Sequence, residues 1–494
     1  MNMQLSTNPP ASQSPLQTLS AAPSDTLQAK QGEPSAPIKI TPNMPFNEGG
    51  VEIDLSVRGG GRGFYSPPKD QDLKIKTGDS ADKVHIKKSA DGGLIAEING
   101  KTYDIPFDTK SNGQQHLEIQ TNGGDDNVTV DDDVKVPVSV KLGAGNDRFN
   151  AGGGRTNVYG GAGNDTIQLG SGVGYAEGND GDDTITGGSA YSVMYGGNGN
   201  DKLRGEGGST YMDGGTGNDS LRGGGGKNVM NGGKGNDVVD GGAGENTIYT
   251  GKGRDTVNSV SDEDIIYGKK DDSIKRTKDS KLVEVAPSDV GSKAFKVEGS
   301  NEFKQVVEDD LEFLRGSPTG EKLLEGLDKT PGPITIREQP EGGAAFYNYG
   351  RKGVDLGDPR VEPPNDSEHG YITNGVAGAP ADDATILYGR AFVVEEHERP
   401  PIIPVFHEMS HAFNGVNGTA LPGETPVGAD PADPYKPKSE SNRERQAVGL
   451  PTNADPFDFD NDPSTPPTNT NPEWATENGF AKELRTSLRA RYFS

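Results

Sequence analysis

The chain has 494 residues, too many for one hydrophobic core, so roughly two to four domains are expected. Its 72 glycines, 35 prolines and hydrophobic content of 30% point to a repeat array or to disorder, because no G-X-Y period accompanies the glycine. A net charge of −26 argues against nucleic acid or anionic lipid as a partner, and the lack of cysteine excludes disulfides and thiolate metal sites.

Residues 1–45 are rich in Ser, Thr, Pro, Gln and Ala and have little to bury, so a disordered leader is predicted. It lacks the basic-then-apolar pattern of a Sec signal. Such Ser-rich, acid-poor leaders resemble the uncleaved signals of bacterial type III effectors; a plain flexible tail is the other reading. No apolar run approaches the ~18 residues needed to span a bilayer, so no transmembrane segment is expected.

Residues 46–140 alternate apolar and polar positions in short runs, as in Val51-Glu52-Ile53-Asp54-Leu55 and Leu117-Glu118-Ile119-Gln120. This predicts a β-rich region that caps the glycine-rich stretch following it. Asn99-Gly100, between Leu94–Ile98 and Lys101–Ile105, is a two-residue hairpin signal.

From 141 to 275 the chain repeats. Asp147, Asp165, Asp183, Asp201, Asp219, Asp237 and Asp255 recur every 18 residues, each followed two places on by an apolar residue from Phe149 to Val257. The intervening nonapeptides keep their glycines and an inward apolar residue (Val158, Ala176, Met194, Met212, Met230, Ile248) but carry Thr156, Gly174, Ser192, Thr210, Asn228 and Asn246 where the Asp would stand. The consensus G-G-x-G-N-D-x-L/I-x-G resembles the nonapeptide repeats of RTX proteins, which form a parallel β-roll with calcium between turns. With two turns per coil, one edge is expected to hold a row of Ca²⁺ on Asp147, Asp165, Asp183, Asp201, Asp219 and Asp237, and the other edge to be metal-poor. Asp255 departs from the pattern, with Arg254 in place of Asn.

Residues 276–494 read as an α+β domain. Helices are predicted from Glu302 through Leu314 and from Thr319, strands at Ile334–Ile336 and Thr385–Tyr388, long loops over Gly423–Lys438 and Asp455–Pro472, and a closing helix from Trp474 to Arg491. Within it, His407-Glu408-Met409-Ser410-His411 spells H-E-x-x-H in a chain with 6 histidines. A helix opened by the prolines at 400, 401 and 404 and stopped by Gly415 puts His407 and His411 on one face, where they can share a zinc ion, with Glu408 beside it as a base. Val405, Phe406, Met409 and Phe413 are left to anchor it. Asn414 and Asn417 stand where a metzincin has Gly and His, so the third ligand is sought among downstream carboxylates. Glu440 and Glu444 lie one turn apart on a predicted second helix. Glu444 is preferred because Ala447 lets the helices approach, with Glu440 supporting it and Glu424 behind both.

Phe406–Ala412, Asn442–Leu450 and Thr476-Glu477-Asn478 resemble the NleD-like effector zinc metalloproteases, over roughly residues 300–494. The resemblance implies zinc on His407, His411 and Glu444, Glu408 as general base, and delivery into a host cell. Tyr371, Tyr388, Tyr492 and His397 are all candidates for stabilising the oxyanion, while His369 and His397 are expected not to be ligands. The reading is therefore a secreted zinc endopeptidase and virulence effector acting as a monomer on a host protein, with Zn²⁺ for chemistry and Ca²⁺ for structure. The alternative is a calcium-stabilised adhesion or scaffold protein whose H-E-x-x-H domain is inactive. Host cytosol is calcium-poor, which fits an intracellular effector badly and keeps type I export open.

Overall fold

The computed structural model describes residues 36–58, 70–110, 114–286, 288–329, 333–339, 346–350, 367–381, 383–391, 398–430, 433–460 and 463–491. The 18-residue register winds the chain into a parallel β-solenoid. Short strands such as Thr166–Gln168, Thr184–Thr186 and Lys202–Arg204 stack in one sheet, and Thr156–Ala162, Gly174–Asp180 and Ser192–Asn198 stack in the other. Registers are exact at the apolar positions: Phe149, Ile167, Ile185, Leu203 and Leu221 pair in sequence, as do Val158, Ala176, Met194, Met212 and Met230. Both columns are buried between the sheets. Coils pack so closely at the turns that a Cβ on Gly199, where φ is 136°, would sit 2.0 Å from the carbonyl of Gly181.

Upstream strands continue both sheets, giving 13 strands in each among the described residues. Lys83–Lys88 pairs with Asn127–Val130, which leads into the repeats, and Gln115–Gln120 pairs with Val138–Ala144. The hairpin at Asn99-Gly100 forms as expected, with φ of 51° and 79°.

The outer faces of the two sheets differ. One carries exposed polar and charged residues at Lys202, Arg204, Ser220 and Arg222. The other carries Tyr159, Tyr175, Tyr195, Tyr211, Tyr249 and Tyr267, all buried. Helices of the C-terminal region, α1 (Asn301–Gly316) and α5 (Glu477–Glu483), meet Tyr195, Tyr211 and Tyr249, and Arg390 lies over Tyr159. Phe313 lies against Tyr211, Tyr249 and Phe480, with ring centroids 6.1, 4.6 and 6.2 Å away. Polar contacts fix the join: Tyr195 donates to Asp310 (3.1 Å), Tyr249 donates to Glu483 (2.9 Å), and Arg390 pairs with Glu177 (2.8 Å). One apolar cluster thus runs from the outer face of the roll into the α+β region.

That region continues with α2 (Pro318–Leu327), α3 (Ile402–Asn417) and α4 (Asn442–Val448) around a four-stranded sheet of Phe295–Glu298, Ile334–Glu338, Asp383–Tyr388 and Phe346–Gly350, the last antiparallel. Three expectations need correction. Residues 423–438 are not a loop: Glu424–Asp430 and Asp433–Ser441 form an antiparallel hairpin whose register shifts after Pro426 and Ala429 accommodate proline in a strand pair. The closing helix is short. After Glu483, Arg485 takes a φ of 59° and turns the chain to the roll, where its guanidinium meets Glu245 and Glu263. Gly415 does not stop α3, which runs on to Asn417 and ends at Gly418 with φ of 66°. A Cβ on Gly418 would meet the carbonyl of Gly378 at 2.1 Å.

Candidate metal centre

α3 is apolar nearly all round, and Ile402, Phe406, Met409, Ala412 and Phe413 bury it in the C-terminal core. That burial carries His407, Glu408 and His411 inside with it. The two imidazoles lie one turn apart with ring centroids 4.7 Å from each other. α4 crosses beside them, held by Gln446: its Nε2 donates to Asn414, Thr419 and Asn471, and its Oε1 accepts from the backbone of Leu421. Ala447 is fully buried there, as a close approach of two helices requires.

Glu444 points from α4 at the histidines. Its Oε2 lies 3.0 Å from His411 Nε2 and 3.4 Å from His407 Nε2, and those two nitrogens are 3.1 Å apart. Ligand atoms of His407, His411 and Glu444 all fall within 4.8 Å of one another, the one such group of His and carboxylates among the described residues. Glu440 is not on the same helix. It ends the preceding strand, buried, and pairs with Arg445 at 2.7 Å, away from the histidines. Glu424 is exposed and accepts from Ser439.

Behind the histidines stands Glu477, which the sequence offered only as one letter of a motif. Thr476 caps α5 through its side chain, and this first turn places Glu477 Oε2 2.9 Å from His407 Nδ1. Arg399 and Arg489 hold the carboxylate from the other side. Among the oxyanion candidates, Tyr388 donates to Asp310 at the roll contact and Tyr371 is buried in a bridge to Ala420. His369 sits in a short 3-10 turn, while His397 and Tyr492 fall outside the described residues.

The charges of the cluster are unbalanced. Burial opposes a charge on His407, but the carboxylates of Glu444 and Glu477 outweigh it and lift the imidazole to about 10. For His411 burial prevails and pushes it down to about 4, leaving a neutral imidazole. Glu444 is held well below the usual carboxylate range by both histidines, although burial works against it. Glu408 is pushed up to about 7, chiefly by burial. Two imidazole nitrogens and a carboxylate oxygen converging in a buried, cation-seeking cluster suit zinc, which takes nitrogen and oxygen donors.

The aspartates of the roll form a second array. Each places Oδ1 on the backbone N–H of the Asp one coil earlier, at 2.6–2.9 Å from Asp147 through Asp255. Oδ2 of Asp147, Asp165, Asp183, Asp201, Asp219 and Asp237 is buried without a hydrogen-bond partner. From Asp165 to Asp237 the residue five places earlier is glycine (Gly160 to Gly232). A Cβ on it would come within 2.2–2.7 Å of Oδ2 and 2.5–2.7 Å of a carbonyl one coil on. These niches, lined by a carboxylate and carbonyl oxygens, suit a hard cation. Burial, with neighbouring carboxylates, pushes Asp165 and Asp237 up to about 8 and Asp219 up to about 9. Asp147 shares the ladder but has Leu142 where the others have glycine. The ladder also runs further upstream than the repeat, to Asp126 and Asp82 at spacings of 21 and 44. Its signal was the shortened motif Gly123-Gly124-Asp125-Asp126-Asn127-Val128.

Residues 291–492 match the profile of the Peptidase M91 family, described as effector protein. Segments 142–175, 177–212, 205–239, 233–266 and 240–273 match the RTX calcium-binding nonapeptide repeat. No curated protein and no solved structure matches the chain. No helix among the described residues is long and apolar enough to cross a membrane. The chain joins RTX calcium-binding repeats to an effector domain of the Peptidase M91 family.

Proposed function

We propose that residues 276–494 are a zinc-dependent endopeptidase, exported by a bacterium to hydrolyse a host protein, with the leader at 1–45 as its export signal. The observation that carries this reading is the convergence of His407, His411 and Glu444 in one buried group with Glu408 on the same helix. Zinc held there would supply a Lewis acid that polarises a peptide carbonyl and makes water more acidic. Glu408, pushed up to about 7 by burial, is suited to take a proton from water near neutral pH and to return it to the departing amine. Glu477 holds His407 through Nδ1, which leaves Nε2 turned to the metal position. Export fits the roll: in calcium-poor cytosol its clustered carboxylates repel, and millimolar calcium outside favours folding.

The test is zinc content by metal analysis beside a cleavage assay on host-cell extract. The wild type is expected to carry one zinc and to cleave; Glu408→Gln is expected to keep the zinc and to lose cleavage. A wild type that binds zinc and cleaves nothing would favour the adhesion or scaffold alternative. Equal cleavage by both proteins would remove Glu408 from the mechanism.

A further inference from the structure

The row of aspartates does not end in the way it runs. From Asp165 to Asp237 each niche has a glycine on one side and an Oδ2 without a partner on the other. At Asp255 the niche is filled by the chain itself. Thr250 stands in the glycine position, and Lys269 Nζ lies 2.6 Å from Asp255 Oδ2, 2.7 Å from the carbonyl oxygen of Gly251, 3.1 Å from Asp272 Oδ1 and 3.2 Å from Thr250 Oγ1. Two carboxylate oxygens, a carbonyl oxygen and a hydroxyl thus surround one positive charge, where each earlier niche presents a carboxylate and a carbonyl oxygen. The carboxylates of Asp255 and Asp272 are fully buried, and the lysine is largely so. At the upstream end no charged side chain enters: Thr121 stands before Asp126, its hydroxyl donates to the carbonyl of Leu142 at 2.8 Å, and Asp126 Oδ2 stays buried without a hydrogen-bond partner.

The location of Lys269 gives the closure a purpose. It follows Tyr267 and Gly268 directly. Tyr267 stacks on Tyr249 with centroids 4.5 Å apart and planes 4° from parallel. Tyr249 in turn packs on Phe313 of α1 and donates to Glu483 at the end of α5. Lys252, in the same coil as Tyr249, pairs with Asp289 at 2.9 Å and with Glu312 of α1 at 3.2 Å. The last coils that carry the C-terminal domain thus have their cation covalently attached, whereas the coils of Glu177, Tyr195 and Tyr211, which also meet that domain, do not.

We propose that Lys269 is a tethered cation occupying the last position of the row, so that the coils at 245–284 stay folded without calcium while the coils from Asp165 to Asp237 require it. This rests on reading those aspartates as calcium ligands.

The experiment is hydrogen exchange by mass spectrometry on the full-length protein in calcium-depleted buffer with zinc supplied, with calcium stoichiometry measured by equilibrium dialysis. In the wild type, residues 245–284 should be protected without calcium, and the coils at 156–231 should gain protection when calcium is added. Lys269→Met should lose protection at 245–284 by about tenfold or more without calcium, regain it on addition, and bind one more calcium per chain. Lys269→Arg, which keeps the charge, should behave as the wild type, and any Lys269→Met that misfolds alone can be refolded with calcium before the same measurement. Full protection in calcium-free Lys269→Met would overturn the proposal. So would a loss that calcium does not restore, which marks an ordinary ion pair. A wild type that binds no calcium at all would instead overturn the reading of the row.

Discussion

Glu477 Oε2 and His407 Nδ1 stand 2.9 Å apart, so the imidazole that faces His411 and Glu444 through one nitrogen is gripped by a carboxylate through the other. Carboxylates placed this way orient a histidine ligand and raise its basicity. Glu477→Gln keeps the shape and removes the charge. Its zinc affinity should fall by about 10- to 100-fold in chelator competition, with unchanged circular dichroism. An unchanged affinity would make Glu477 a purely structural partner of Arg399 and Arg489.

Glu444 and Glu440, neighbours in sequence, should separate on substitution. Glu444→Ala is expected to abolish zinc retention while leaving the fold intact. Glu440→Ala is expected to retain zinc but to lose about 3–5 kcal/mol of stability, because Arg445 is left buried without its carboxylate partner. Denaturant melts with metal analysis on both variants decide this, and zinc lost from Glu440→Ala alone would reverse the assignment.

Phe313 bridges the roll and the C-terminal core. Phe313→Ala should cost about 3–5 kcal/mol, through lost burial and the cavity left among Tyr211, Tyr249 and Phe480. Because the lost contacts lie on the outer face, the roll should still respond to calcium while cleavage falls. A variant whose calcium response disappears as well would mean that the roll cannot stand without its cover.

Asp309 and Asp310 face the roll from α1, and burial, reinforced by the charge of Asp213 across the contact, holds both carboxyls well above 3.8. Asp310 accepts from Tyr195 and Tyr388, and Asp309 accepts from Gln305. A group whose folded-state pKa is raised supports the fold fully below its unfolded value and withdraws that support as pH rises through the folded one. Thermal stability should therefore decline as pH rises above the ordinary carboxyl range, and Asp310→Asn should flatten the decline. Stability that rises there, or an unaltered slope in the variant, would contradict the assignment.

The sequence carried the roll well because an 18-residue period repeats one local rule, with Ile185 or Met194 always facing inward and Gly199 always at a turn. The H-E-x-x-H was equally legible, since i and i+4 on a helix share a face whatever surrounds them. What distant segments contribute was harder to read. Glu477 gave no periodic signal of its own, and its role arises only because Thr476 starts a helix beside α3. The hairpin at 424–441 was hidden by prolines that its register shifts absorb. The aromatic outer face did leave a trace: Tyr159, Tyr195, Tyr249 and Tyr267 occupy outward positions where a solvated sheet would carry Lys or Thr.

The strict register has a bearing on how this molecule can change length over generations. One coil is 18 residues and advances the solenoid by about one strand spacing, some 4.8 Å. Duplicating or losing a whole coil upstream of Tyr159 leaves every aspartate in line and the tyrosines of the outer face against the C-terminal region. A coil of another length keeps both columns in phase only where its extra residues are taken up outside the paired strands, as in the 21-residue coil from Asp126 to Asp147. The roll can therefore be lengthened or shortened by whole coils between its upstream strands and Tyr159 without disturbing the domain mounted downstream.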